Sequence, residues 1–195
     1  ASTTSIAGAV RTSGQGITLG TVALATDATL DSTANGASPA GGAITVAAVD
    51  GAGRALTVSS GNAALNLTGN IGAAGGLGAV NVANSGSIAI ATGTTLIAGA
   101  TQLRASGAIT GGTVQVGSLG IAASSVRLSE TGNQIGGLGG DDAAEAVTML
   151  AAPAVGAGPY LINGKPFAVA PAAAESGATT ALVTQLINIP TIRPF

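Results

Sequence analysis

The sequence predicts an all-β solenoid of about 5–6 stacked turns with an irregular C-terminal extension, and three observations carry that expectation. First, between Ala43 and Gly139 short apolar alternations such as Ile44-Thr45-Val46, Leu56-Thr57-Val58, Val80-Asn81-Val82 and Val114-Gln115-Val116 keep returning between glycine-rich turns. Second, they fall into two series. Leu56/Val58, Val80/Val82, Leu103/Ala105 and Val126/Leu128 step by 24, 23 and 23 residues, while Ile44/Val46, Leu65/Leu67, Ile88/Ile90 and Ile109 step by 21, 23 and 21. One shared period of about 22 residues with two interleaved strand series is the signature of a coil carrying at least two short strands per turn. Third, Gly is 32 of 195 residues, aromatics are 2% and charged residues only 7%. Such a chain cannot fill a thick core with large side chains, but a narrow coil needs only stacked rows of Val, Ile and Leu with small residues where its walls approach.

Disorder is the competing explanation of so much Gly, Ser and Ala. Disordered chains are poor in β-branched residues and rich in charge, however, and this chain is the reverse on both counts. A net charge of -2, with basic residues scattered singly at Arg11, Arg54, Arg104, Arg127, Lys165 and Arg193, leaves no electrostatic footprint for nucleic acid. With no cysteine and no histidine, disulfides, thiol chemistry, zinc sites of the usual kind and imidazole catalysis are excluded together. No apolar run is long enough to cross a membrane as a helix, so no transmembrane segment is expected. A chain that begins at Ala1 rather than Met suggests a processed mature terminus.

Taken in order, residues 1–16 are small and polar, with Ile6 and Val10 as the only anchors, and read as an N-terminal arm or a capping half-turn. The solenoid repeats occupy 17–140. They open with Ile17-Thr18-Leu19, Val22-Ala23-Leu24 and Ala28-Thr29-Leu30, period-two segments of half-buried strands separated by corners. Asp31 to Gly42 holds Asn35-Gly36 and no large apolar residue, and reads as a loop inserted into the first turn. From Ala43, Ile, Val and Leu alternate with Thr, Ser, Asn, Gln and Ala, which places the first set inside the stack and the second on the outer face. Residues 141–195 form the extension. Asp141 to Ala152 has acids ahead of helix formers and Pro153 as a stop, predicting a short helix, with a further rung strand at Val147-Thr148-Met149 as the alternative. Tyr160 to Phe167 carries Asn163-Gly164 between apolar segments and predicts a two-residue hairpin. After a small-residue linker the chain ends in its most hydrophobic stretch, Ala181 to Phe195.

Two segments resemble a known family. Gly112-Thr113-Val114-Gln115-Val116-Gly117-Ser118-Leu119, followed by Ser125 to Gly139 with its Thr131-Gly132-Asn133-Gln134-Ile135-Gly136-Gly137-Leu138-Gly139 corner, resembles the β-strand repeats of filamentous haemagglutinin-like bacterial exoproteins. The resemblance covers roughly residues 17 to 139. It implies a right-handed parallel β-helix and an extracellular or cell-surface bacterial location. The NPNG-type signature of that family's amino-terminal domain is not present, and family members are usually far longer, which leaves a fragment, a small relative or a dedicated fibre subunit; the short length with a distinct tail favours the last.

No catalytic constellation stands out. A sugar-cleaving β-helix needs convergent carboxylates and aromatic platforms, whereas the acids of the repeat region are Asp27, Asp31, Asp50 and Glu130, and the chain has two Phe, one Tyr and no Trp. Asp27 and Asp31 read as solvated turn carboxylates. Gly136 to Asp142 is similar to a single calcium-binding nonapeptide, a motif that works only in tandem, and Gly72 to Gly78 lacks the Lys that a phosphate loop demands. The chain is therefore expected not to be an enzyme and to need no cofactor or metal. Its expected partners are copies of itself, docked through solenoid ends and an apolar C-terminal strand whose contact residues are Leu182, Leu186, Ile187, Ile189, Ile192 and Phe195, a strand that can cover the open end or flank of its own solenoid or that of a neighbour. The alternative is an adhesin segment that binds a cell-surface ligand.

Overall fold

The computed structural model describes residues 2–128, 130 and 133–136, together with the backbone of strands at 138–139, 146–149, 160–162, 165–167 and 183–186. Among these residues all regular structure is β-strand: β1 (Thr3–Arg11), β2 (Ile17–Asp31), β3 (Ile44–Asp50), β4 (Ala55–Ser59), β5 (Ala64–Leu67), β6 (Leu77–Asn84), β7 (Ser87–Arg104), β8 (Ala108–Ala122), β9 (Ser125–Leu128), β10 (Gln134–Ile135), β11 (Leu138–Gly139), β12 (Ala146–Met149), β13 (Tyr160–Ile162), β14 (Lys165–Phe167) and β15 (Val183–Leu186). From β1 to β12 every pairing is parallel. The chain is a β-solenoid of about six stacked turns.

Each turn visits three faces, because a period-two strand must bend at a corner to bring the next apolar residue back inside. On the first face Ile17, Ile44, Leu65, Ile88, Ile109, Val126 and Val147 lie one above another. The second face stacks Thr4, Val22, Val49, Ile71, Leu96 and Val114. The third stacks Val10, Leu30, Val58, Val82, Leu103 and Ile121. Between Ile17, Val22 and Leu30 at one end and Val126, Val114 and Ile121 at the other these columns are the core: Ile44, Val49, Ile71, Leu96, Ile109 and Val114 are fully buried. Burying one such side chain contributes about 1.5–3 kcal/mol, and a closed column also satisfies each strand's backbone groups on both sides.

The observed register corrects the expected one in part. The series Ile44, Leu65, Ile88, Ile109 is the first-face column as read. The other series holds from Leu56/Val58 to Val80/Val82 and then slips, since Val80 pairs with Thr101, Val82 pairs with Leu103, and Val126 belongs under Ile109 on the first face. The cause is Thr101, 1% exposed in a column otherwise held by aliphatic residues, which hides one rung of the apolar pattern. Nor is the period constant. Successive first-face residues are 27, 21, 23, 21, 17 and 21 apart, because corners rather than columns absorb differences in chain length.

The helix expected across 141–152 is not formed at Ala146–Met149, which is a strand in register with Val126–Leu128. Ladder pairing overrides the helical preference of its Ala and Met. Tyr160–Ile162 and Lys165–Phe167 do pair antiparallel, Tyr160 opposite Phe167, while Asn163 and Gly164 lie outside the described residues.

Where a corner breaks the backbone ladder, a side-chain carbonyl replaces the missing acceptor. Asp27 Oδ1 accepts from the Ala55 amide at 2.9 Å, Asp50 Oδ1 from Ala74 at 2.9 Å, Asn70 Oδ1 from Thr95 at 2.9 Å and Asn133 Oδ1 from Val114 at 2.8 Å. Each bond ties one turn to its neighbour. Glycine serves a tight crossing: Gly111 and Gly112 have φ of 92° and 51°, and an added Cβ at Gly111 would strike the carbonyl oxygen of Ile90.

Candidate functional site

The two ends of the coil are where this architecture leaves chemistry undone, because each end of a parallel stack presents unpaired N–H and C=O groups. At the N-terminal end β1 pairs with β2 from Thr3 opposite Thr21 to Arg11 opposite Asp31, covering the second and third faces but not the first. Ile6 is its one buried side chain, Val10 packs partly on the core, and the remainder is largely exposed. A register shift between Ile6 and Gly8, with Gly8 at φ 86°, lets β1 turn the corner in fewer residues than β2. Among the described residues no strand pairs with the other edge of β1. That edge is nine residues long and carries no Lys or Pro, and what protects it is the irregularity at Gly8 and the charge of Arg11 at its end.

At the C-terminal end β12 supplies the first face alone. One edge of β12 pairs with β9, and the other pairs antiparallel with β15, Ala146 opposite Leu186 and Met149 opposite Val183. Hairpin β13–β14 lies beside β11. Of the residues expected to dock, Leu186 is thus in a strand at this end of the coil, and Leu182, Ile187, Ile189, Ile192 and Phe195 lie outside the described residues.

The corner between third and first face holds the strongest electrostatics. Asp31 is 3% exposed, so it is no solvated turn carboxylate as its sequence context suggested. Its Oδ1 accepts from the Thr33 amide at 2.8 Å and the Thr33 hydroxyl at 2.7 Å, its Oδ2 accepts from the Asn35 amide at 2.8 Å, and the Arg11 Nε stands 3.6 Å away. Burial pushes the carboxyl up, but the Thr33 hydroxyl, the Asn35 and Thr33 amides and Arg11 together outweigh it and hold the pKa below the ordinary carboxylate value. This cage keeps Ala34 and Asn35 at φ of 53° and 58°, a conformation non-glycine residues rarely adopt. Asp27 is turned instead to the Ala55 amide, so the two acids serve separate corners.

Below that corner Ser32, Ser60 and Ser85 are buried in succession, Ser60 Oγ bonding Ser85 Oγ at 2.9 Å. Corners further along shorten to small residues, and the step left behind is a shallow groove of about 420 Å³ flanked by Asn62, Asn84, Arg104, Ser106 and Ser124. Neither the groove nor the serine stack was legible beforehand. The available signal was a serine recurring at each of these corners, 32, 60, 85, 106 and 124, at shrinking intervals.

No family model, curated protein or solved structure matches this chain. Among the described residues no group of three or more acidic side chains is placed to hold a metal ion, and no helix is long and apolar enough to cross a membrane. The coil offers backbone pairing at its two ends and a polar groove on one corner.

Proposed function

We propose that this chain is a non-enzymatic structural subunit of an extracellular bacterial fibre or matrix, self-associating through the ends of its coil and its C-terminal strand. The observation that carries the reading is the nine-residue edge of β1, unpaired among the described residues and interrupted only at Gly8, set on a solenoid whose own pairing rule can accept another strand. The resemblance of 112–119 and 125–139 to filamentous haemagglutinin-like repeats supports the location. Asp27, Asp31 and Asp50 are spent on backbone amides rather than gathered in a cleft, which favours a scaffold over a catalyst.

One feature favours the second reading, an adhesin segment. The groove beside Arg104 presents amide and hydroxyl groups suited to a hydroxylated cell-surface ligand. The readings separate by electron microscopy and sedimentation of purified protein. A fibre subunit forms filaments and binds cells poorly. Monodisperse rods that bind cells as monomers would overturn the fibre reading in favour of the adhesin.

A further inference from the structure

We propose that the two ends of this chain are complementary parts of a single coil, and that strand β15 is a displaceable cap over the joint between two copies. The inference rests on the self-assembly reading above and gives the C-terminal strand its role in it. The N-terminal end begins with β1, on the second and third faces only, so that among the described residues Ile17–Leu19 on the first face has a neighbour on one side alone. The C-terminal end finishes with β12, on the first face only. A second copy, set on the C-terminal end in the register the coil already follows, lays its β1 over β10 and β11, while the first copy's β12 comes to lie against its Ile17–Leu19. Each copy supplies what the other lacks, and the joint is one three-faced turn shared by two chains.

The cross-sections also match. Around the N-terminal end the chain takes 18 residues from Thr4 to Val22 and 20 from Val10 to Leu30. Around the C-terminal end it takes 17 from Ile109 to Val126, 19 both from Gln115 to Gln134 and from Leu119 to Leu138, and 21 from Val126 to Val147. In between, the turn from Ile17 to Ile44 takes 27 and that from Leu30 to Val58 takes 28. The wide turn is internal and the ends are narrow to the same degree, so a joined coil continues without a ledge.

The edge of β12 that this joint requires is the edge that β15 holds, Val147 opposite Gln185 and Thr148 opposite Thr184. Both cannot occupy it. Because β15 runs antiparallel, it also ends the parallel ladder, and a coil cannot propagate past it. Assembly is therefore an exchange: four residues of antiparallel pairing, together with the contact that hairpin β13–β14 makes beside β11, are given up for the parallel pairing of β1 and of Ile17–Leu19 with a second copy. The cap holds the chain as single rods until copies are concentrated enough to displace it.

The chain has no cysteine, so an introduced pair reports on the joint without background. Register partners across a sheet are within disulfide reach. The full chain carrying Thr148→Cys and Thr184→Cys is compared oxidised and reduced by sedimentation velocity over rising concentration. The expected result is that the reduced form assembles while the oxidised form, its cap locked within one chain, loses assembly and stays monomeric. A second full-chain variant, Thr18→Cys with Thr148→Cys, is expected to give a covalent ladder of oligomers once assembled and oxidised, since the first-face register sets Thr18 of one copy over Thr148 of the next. Equal assembly of the oxidised and reduced Thr148/Thr184 variant overturns the cap and leaves the fibre reading standing. Covalent oligomers from the Thr148/Thr184 pair also overturn it, because the strand then docks on a neighbour. Monomers in every condition overturn both.

Discussion

The corner from third face to first is built in two ways, and the contrast separates what sets the register from what decorates it. In the first turn the corner runs through residues 32–43 and is organised by buried polar groups, Asp31, Ser32 and Thr33, with Arg11 of the preceding turn. In the fifth turn Ala123 and Ser124 alone make the same connection. The columns on either side are alike: Leu30 and Ile44 flank the long corner as Ile121 and Val126 flank the short one, all at most 4% exposed. Inward aliphatic columns fix the coil, and corners differ in how they satisfy their backbone groups. Long corners need a buried polar frame, short ones only small residues.

If that is right, core truncations cost the same in both regions. Leu56→Ala beside the wide turn and Leu103→Ala in the narrow one each lose about 2–5 kcal/mol, read by urea unfolding. A near-zero cost at Leu103 would break the comparison. Next in size is Asp31→Ala, which leaves the Thr33 and Asn35 amides without an acceptor and costs about 2–4 kcal/mol, whereas Asp50→Ala, whose single amide bond is solvent-exposed, costs under about 1 kcal/mol. The Asp31 carboxyl also sharpens the contrast through pH. Its folded pKa lies below the unfolded value of 3.8, so its contribution is fully present above that value and is lost as pH falls toward the folded pKa. Asp31→Asn is expected to flatten the acid limb of the stability profile below about pH 4, and an unchanged limb would contradict the assignment.

Smaller effects fall in the narrow region. Asn133 is fully buried, accepts from the Val114 amide and donates to the Glu130 carbonyl, and Asn133→Ala is expected to cost about 1–2 kcal/mol. Thr101 Oγ1 is buried without a hydrogen-bond partner in a column of aliphatic residues. Thr101→Val keeps the shape, removes that orphan group and is expected to stabilise by about 1 kcal/mol, visible as a raised urea midpoint.

How much of this was legible depended on the kind of signal. Ile44, Leu65, Ile88 and Ile109 announced the first face because each leads a clean alternation. The second face was not seen as a separate series, since Ile71 joins it through isolated bridges rather than a strand. Thr101 displaced the third-face register because composition gives no means of telling an inward threonine from an outward one. Asp31 looked like any turn acid, for nothing in its local sequence marks that the Thr33 and Asn35 groups close over its carboxylate or that Arg11 reaches it from the preceding turn. Strand β12 was obscured because its pairing with Val126–Leu128 outweighs a local preference for helix. The ends showed only their raw materials, a small-residue segment with two anchors and an apolar tail, and their complementarity emerges from which faces β1 and β12 occupy.

The central claim is that one parallel coil can run from copy to copy. It is tested most directly by electron diffraction and imaging of filaments grown from the purified full chain. The account predicts unbranched filaments with a strong axial repeat at about 4.8 Å, the spacing of strands stacked along the fibre. Monodisperse rods about 30 Å long at every concentration, the height of one capped coil, would contradict it.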